Sequence, residues 1–128
     1  MKTPPALSDA EWEVMNVVWD THPATAAQVV DALPRRSSQT VKTLLNRLLH
    51  KGALRYEAEG KRYLYCPAMT RERCLRQASK SFINHVFSGD PGSLVSHLIE
   101  HHRLSEQDLA ALRDQLDEAK KTSMKRRR

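Results

Sequence analysis

Between Ser37 and Gly52 the chain spells out one complete helix, and directly after it the periodicity changes. Val41, Leu44, Leu45 and Leu48 recur at i, i+3, i+4 and i+7 and form a single apolar stripe. Ser37 stands where a hydroxyl caps free backbone N–H groups, and Gly52 stands where a left-handed turn ends the helix. Beyond Gly52, Leu54-Arg55-Tyr56-Glu57 and Arg62-Tyr63-Leu64-Tyr65 alternate, which predicts two strands around Ala58-Glu59-Gly60-Lys61. Gly60 supplies the positive φ of a tight hairpin turn.

The flanking segments carry equally local signals. Pro4 and Pro5 lie in a short arm. Leu7-Ser8-x-x-Glu11-Trp12 combines a capping box with a hydrophobic staple and predicts a helix to about Asp20. That helix is expected to bury Trp12, Met15, Val18 and Trp19 and to show an acidic outer face. Thr25 and Gln28 form a second capping box, and Pro34 stops the short helix they start. Thr25–Leu33, a tight connection and the Ser37–Lys51 helix make a helix–turn–helix, in which the first helix braces the second from behind. Pro67 closes the hairpin, Thr70 caps a helix predicted over Arg71–Ser88, and Gly89-Asp90-Pro91-Gly92 breaks it. Ser93–His101 and a segment capped by Ser105 and Asp108 follow as two further amphipathic helices.

Charge is partitioned along the chain. The net charge of +6 conceals −4 in residues 1–34, +9 in residues 35–80 and −5 in residues 81–119. Six cations then fall in residues 120–128. A focused basic segment in an otherwise acidic chain points to a polyanion, foremost nucleic acid. The outer face of the Ser37–Lys51 helix has hydroxyl, amide and cationic groups and no carboxylate, as a helix entering a major groove requires. We therefore expect DNA contacts from Ser38, Gln39, Thr40, Lys42, Thr43, Asn46 and Arg47, and from Lys61 and Arg62 at the hairpin tip. Gln39, Thr40, Thr43 and Asn46 suit base edges, whereas Lys42, Arg47 and Arg62 suit phosphates.

Other chemistries find less support. There is no glycine-rich phosphate loop, nucleophile elbow or carboxylate pair in an apolar setting, so an enzyme is not expected. Cys66 and Cys74 form no CxxC pattern and read as plain thiols in a reducing, cytoplasmic setting. No apolar run spans a membrane, and the polar start is not a secretory signal. His97 and His101 share a helix face beside Glu100 and His102, but two histidines are half of a metal site. No cofactor is expected. Three amphipathic helices after Thr70 most simply make a homodimer interface, with Phe82, Ile83, Val86, Phe87, Leu94, Leu98, Leu109, Leu112 and Leu116 as its apolar contacts, the alternative being an intramolecular three-helix bundle with a thin core.

Several motifs in order resemble the penicillinase-repressor family of bacterial regulators, to which methicillin-resistance and copper-responsive repressors also belong. They are Leu7-Ser8-x-Ala10-Glu11-Trp12-Glu13-Val14-Met15-x-x-x-Trp19, Thr40-Val41-Lys42-Thr43-Leu44-Leu45-x-Arg47-Leu48 and Lys51-Gly52. Tyr63-x-Tyr65-x-Pro67, Ser79-Lys80-x-Phe82-Ile83-x-x-Val86 and Gly92-Ser93-Leu94-Val95 continue the likeness, which spans about residues 6–118. The resemblance implies a homodimeric repressor of inverted-repeat operators that controls β-lactamase or related resistance genes. It also implies a membrane sensor-protease as partner. The chain lacks the paired Cys-x-Cys motifs of the copper-responsive branch. Where the β-lactam branch has its cleaved Asn–Phe bond, alignment places His97-Leu98.

The expected fold is mainly α with a small β-hairpin. A winged helix–turn–helix covers residues 1–69, a helical dimerisation region 70–119 and an unstructured basic tail 120–128. The expected function is that of a DNA-binding transcriptional repressor. A repressor answering a metal or another signal, or a winged-helix protein-interaction module without DNA, are the alternatives.

Overall fold

The computed structural model describes residues 3–126. The chain divides into two compact units, the first ending at Phe82 and the second beginning at Ile83. The first contains α1 (Asp9–Asp20), α2 (Ala26–Ala32), α3 (Ser38–Lys51), β1 (Leu54–Glu59), β2 (Arg62–Pro67) and most of α4 (Arg71–Val86). The second contains the end of α4, then α5 (Pro91–His101) and α6 (Glu106–Arg126).

Caps set the helix starts. Ser8 accepts from the Glu11 N–H at 3.2 Å while the Ser8 N–H donates to Glu11 at 2.9 Å, and Thr25 and Gln28 repeat the exchange. Gly52 ends α3 at φ +81°, as its position required. The hairpin is tighter than its alternation suggested. β1 and β2 pair antiparallel from Leu54↔Pro67 to Glu59↔Arg62, leaving Gly60 and Lys61 as a two-residue turn. Gly60 at φ +64° allows that closure without a Cβ clash. Ala24 exchanges two backbone hydrogen bonds with Tyr65, at 2.9 and 2.7 Å, and so ties the α1–α2 connection to the wing.

The core of the first unit interleaves Val14, Met15 and Val18 of α1 with Val29 of α2 and the full α3 stripe, Val41, Leu44, Leu45 and Leu48. Ala24, Ala53 and Leu54 complete it. Each fully buried large aliphatic side chain there contributes about 1.5–3 kcal/mol of transfer free energy. Trp12 and Trp19, expected in the core, are only half-buried; Trp19 packs on its edge.

The acidic outer face expected of α1 needs one correction. Glu11 is 2 % exposed, and its Oε1 accepts from Lys51 Nζ at 2.6 Å. Burial alone would raise the Glu11 pKa, but the Lys51 ammonium and the two Ser8 hydrogen bonds outweigh it and hold the carboxyl below its ordinary value. Lys51 Nζ also donates to the Ala6 carbonyl at 3.0 Å, so one cation at the end of α3 fastens both α1 and the arm before it.

The boundary expected at residues 69/70 falls inside the first unit. Trp19 Nε1 donates to the Met69 carbonyl at 2.9 Å, and Arg71 pairs with Asp20 at 2.7 Å while lying 5.3 Å over the Trp19 ring. Cys74 is buried, and burial pushes its thiol pKa up, which makes it a poor nucleophile.

In the second unit Asp90 caps α5, accepting from the Gly92 N–H at 3.0 Å and the Ser93 hydroxyl at 2.6 Å. Ser105 and Asp108 cap α6 reciprocally at 3.0 and 3.1 Å. α6 runs for 21 residues, so Lys120–Arg126, expected to be an unstructured tail, are helical. The segment has neither Gly nor Pro, and acids in the first turn with cations in the last oppose the helix dipole. Arg127 and Arg128 lie outside the described residues. No residue of α5 or α6 is buried.

Candidate nucleic-acid interface

α3 turns its apolar stripe into the core of the first unit, so its other face must meet solvent. Ser38, Gln39, Thr40, Lys42, Thr43, Asn46 and Arg47 are all exposed, as the helical period required. Two of the hydroxyls are already committed within the helix. Ser37 accepts from the Thr40 N–H at 3.1 Å and donates its own proton to Thr40 Oγ1 at 2.8 Å. Thr40 therefore keeps a hydroxyl proton to donate outward. Thr43 donates to the Gln39 carbonyl at 3.0 Å, which leaves it an acceptor oxygen and a methyl group. Facing base edges, Thr40 suits an acceptor such as guanine O6 or N7. Thr43 suits an amino group of adenine or cytosine, or the thymine methyl.

The cations sort into those spent inside the fold and those left for a ligand. Arg36 is held by Glu13 of α1, with Nε donating to Oε2 at 3.0 Å, and Lys51 is held by Glu11. Arg62 lies 3.3 Å from Glu59 across the hairpin turn, and Arg55 lies 3.7 Å from Glu57. Among the described residues, Lys42, Arg47 and Lys61 have no acidic partner. Neither does Arg35, which is exposed just before the start of α3. Sequence reasoning passed over Arg35. Its signal was the Arg35-Arg36 pair beside a helix N-terminus, but only the fold reveals which arginine Glu13 takes.

The wing adds an aromatic surface. Tyr56 and Tyr63 stack at 4.1 Å between ring centroids, and Tyr65 meets Tyr63 edge-on at 6.3 Å. Lys61, Arg62, Tyr63 and Tyr65 face Thr25, Ala26 and Ala27 across a groove of about 380 Å³. A sugar–phosphate strand fits the chemistry of such a groove, with cations for the phosphate and aromatic faces for the sugar.

The residues expected at a dimer interface lie in the α4–α6 region. Phe82, Val86, Leu98, Leu109 and Leu116 are exposed, and Ile83, Phe87, Leu94 and Leu112 are half-buried. Val95, Ile99 and Met124 join them as exposed apolar side chains. His97 and Leu98 sit in the interior of α5, and His101 is its last residue. Among the described residues, no three His, Cys, Asp or Glu side chains gather as a metal cage, and no helix is long and apolar enough to cross a membrane.

Comparison with known proteins agrees with this geometry. The family model described as penicillinase repressor matches residues 7–118. The penicillinase repressor of Bacillus licheniformis is 34% identical over 123 residues, covering 94% of this chain and 96% of its own. The methicillin resistance regulatory protein MecI of Mammaliicoccus sciuri is 32% identical over 114 residues, covering 87% of this chain and 93% of its own. Among solved structures, the DNA-binding domain of the repressor BlaI matches with a TM-score of 0.51 and 37% identity. That match covers 57% of this chain and 93% of the domain.

Proposed function

The chain belongs to the penicillinase repressor family, and from that membership we propose that it is a sequence-specific DNA-binding transcriptional repressor acting as a homodimer on an inverted-repeat operator. Each copy inserts α3 into a major groove, and the two half-sites lie about one helical turn apart. Gln39, Thr40, Thr43 and Asn46 read base edges. Lys42, Arg47 and Lys61 hold phosphates, joined by Arg62 once a phosphate competes with Glu59. Arg35 adds a phosphate contact beside the start of α3. Ser38, in the first turn of α3, completes the DNA-facing set. Repression takes place where the DNA is, in the cytoplasm. The names of the relatives extend the reading to genes of β-lactam resistance.

The observation that carries this reading is the outer face of α3. It has no carboxylate, carries two cations without acidic partners, and is held from behind by a core that includes every apolar residue of its stripe. A protein-interaction helix of the same fold would show an acidic or apolar outer face instead.

Salt titration of operator binding tests it. Each phosphate neutralised contributes about 0.9 to the slope of log K against log salt, and two copies of several cations make that slope steep. Arg47→Ala is expected to weaken all sequences alike and to reduce the slope by about 2 for the dimer, one unit per copy. A flat salt dependence in the intact chain would overturn the proposal.

A further inference from the structure

The second unit contains a feature that DNA binding does not use. His97-Leu98-Ile99-Glu100-His101 places two histidines four residues apart on α5, with a carboxylate beside the second. Positions i and i+4 project from one helix face, and here the two imidazole centroids are 4.6 Å apart. Imidazoles sharing one ion through Zn–N bonds of about 2.1 Å have centroids about 4.5–5.5 Å apart, a range that includes the spacing of this pair. Glu100 Oε2 lies 3.8 Å from His101 Nε2, which puts a carboxylate charge beside the second imidazole.

The surroundings suit an ion arriving from solvent. His97 is braced edge-on by the Phe87 ring at 6.1 Å, which restricts one ligand in advance. A shallow hollow of about 510 Å³, bordered by Asp90, Ser96, His97 and Glu100, leaves the His97 side of the pair open to water. His102 stands further off, its ring 6.3 Å from His97.

We propose that His97 and His101 form a bidentate site for a divalent transition metal of borderline softness, Zn²⁺ or Cu²⁺, with the Glu100 charge beside it and water in the remaining positions. Imidazole pairs favour these ions over Mg²⁺ and Ca²⁺, which take oxygen ligands. No residue of α3 or the wing takes part, so the site stands or falls independently of the DNA reading.

Calorimetric titration of the full chain with Zn²⁺ at neutral pH is the test. The wild-type chain is expected to take up Zn²⁺ saturably. His97→Ala and His101→Ala are each expected to weaken uptake by at least about tenfold. His22→Ala, an exposed histidine elsewhere, is expected to bind as wild type does. One Zn²⁺ per chain, or one per two chains with ligands from both copies, supports the site. Mg²⁺ is expected to give no saturable signal. All of these side chains are exposed, so far-ultraviolet circular dichroism of the variants is expected to overlay the wild type. No saturable Zn²⁺ uptake, or equal uptake by wild type and the His97→Ala/His101→Ala double variant, would overturn the proposal.

Discussion

α3 and α5 obey the same helical grammar, each with an N-cap and an apolar stripe, yet they reach opposite outcomes. In α3, Leu45 and Leu48 are at 1 % and 0 % exposure, whereas in α5, Leu98 and Ile99 are at 40 % and 52 %. Capping is satisfied within four residues of chain, but burial needs a second surface. α1, α2 and the hairpin supply that surface to α3. Among the described residues of one chain nothing buries the α5 stripe, and in the proposed dimer a second copy does so. The first unit is therefore stabilised by its own core, and the second, in the proposed dimer, by association.

The largest effect that separates the two regions is cavity formation. Leu48→Ala is expected to destabilise the first unit by about 2–5 kcal/mol, measured by urea unfolding. Leu98→Ala, at concentrations where the chain is monomeric, should cost about 0.5 kcal/mol or less while weakening self-association in sedimentation equilibrium. Equal losses from the two substitutions under monomeric conditions would erase the contrast.

An intermediate effect comes from the ion pair that fastens α1 to the end of α3. Removing the Glu11 charge by Glu11→Gln is expected to cost about 1–3 kcal/mol, reduced from a fully buried pair because Lys51 is partly exposed. The sign of the pH dependence follows from the lowered folded-state pKa. Stability from the pair is complete above the ordinary value of 4.5 and is lost as pH falls through the lower folded value. Urea midpoints measured below that pH should drop in the wild type and change less in Glu11→Gln.

The smallest effect belongs to the α3 surface itself. Thr43→Val keeps the shape but removes the acceptor oxygen. It is expected to leave stability within about 0.5 kcal/mol and to lower operator affinity by about 1 kcal/mol or less, at one base pair per half-site. A uniform loss across unrelated sequences would place Thr43 on a phosphate instead.

Legibility in the sequence followed the range of the interactions. Capping boxes at Ser8 and Thr25, the Gly52 stop and the α3 stripe depend on neighbours within one or two turns, and each stood in the structure as read. The exposed α3 face followed from the same period. The Glu11–Lys51 pair, the Ala24–Tyr65 bridge and the Trp19–Met69 strap join residues 40 to 50 positions apart, and no local pattern marks them. The capping box marks Glu11 in the sequence, but its burial against Lys51 is visible only in the fold. Lys120–Arg126 were read as a tail because the apolar period fades there, although α6 continues on helix-forming residues and a favourable dipole. Among the cations, composition located the basic segment, but only packing separated Arg35 from Arg36.

Selection of bound sequences from a random DNA pool, using the intact chain, tests the two-fold reader most directly. The account predicts an inverted repeat with half-site centres about 10 base pairs apart, and loss of its symmetric enrichment in Leu98→Asp/Leu116→Asp. Enrichment of a single asymmetric half-site by the intact chain, or no enrichment at all, would contradict it.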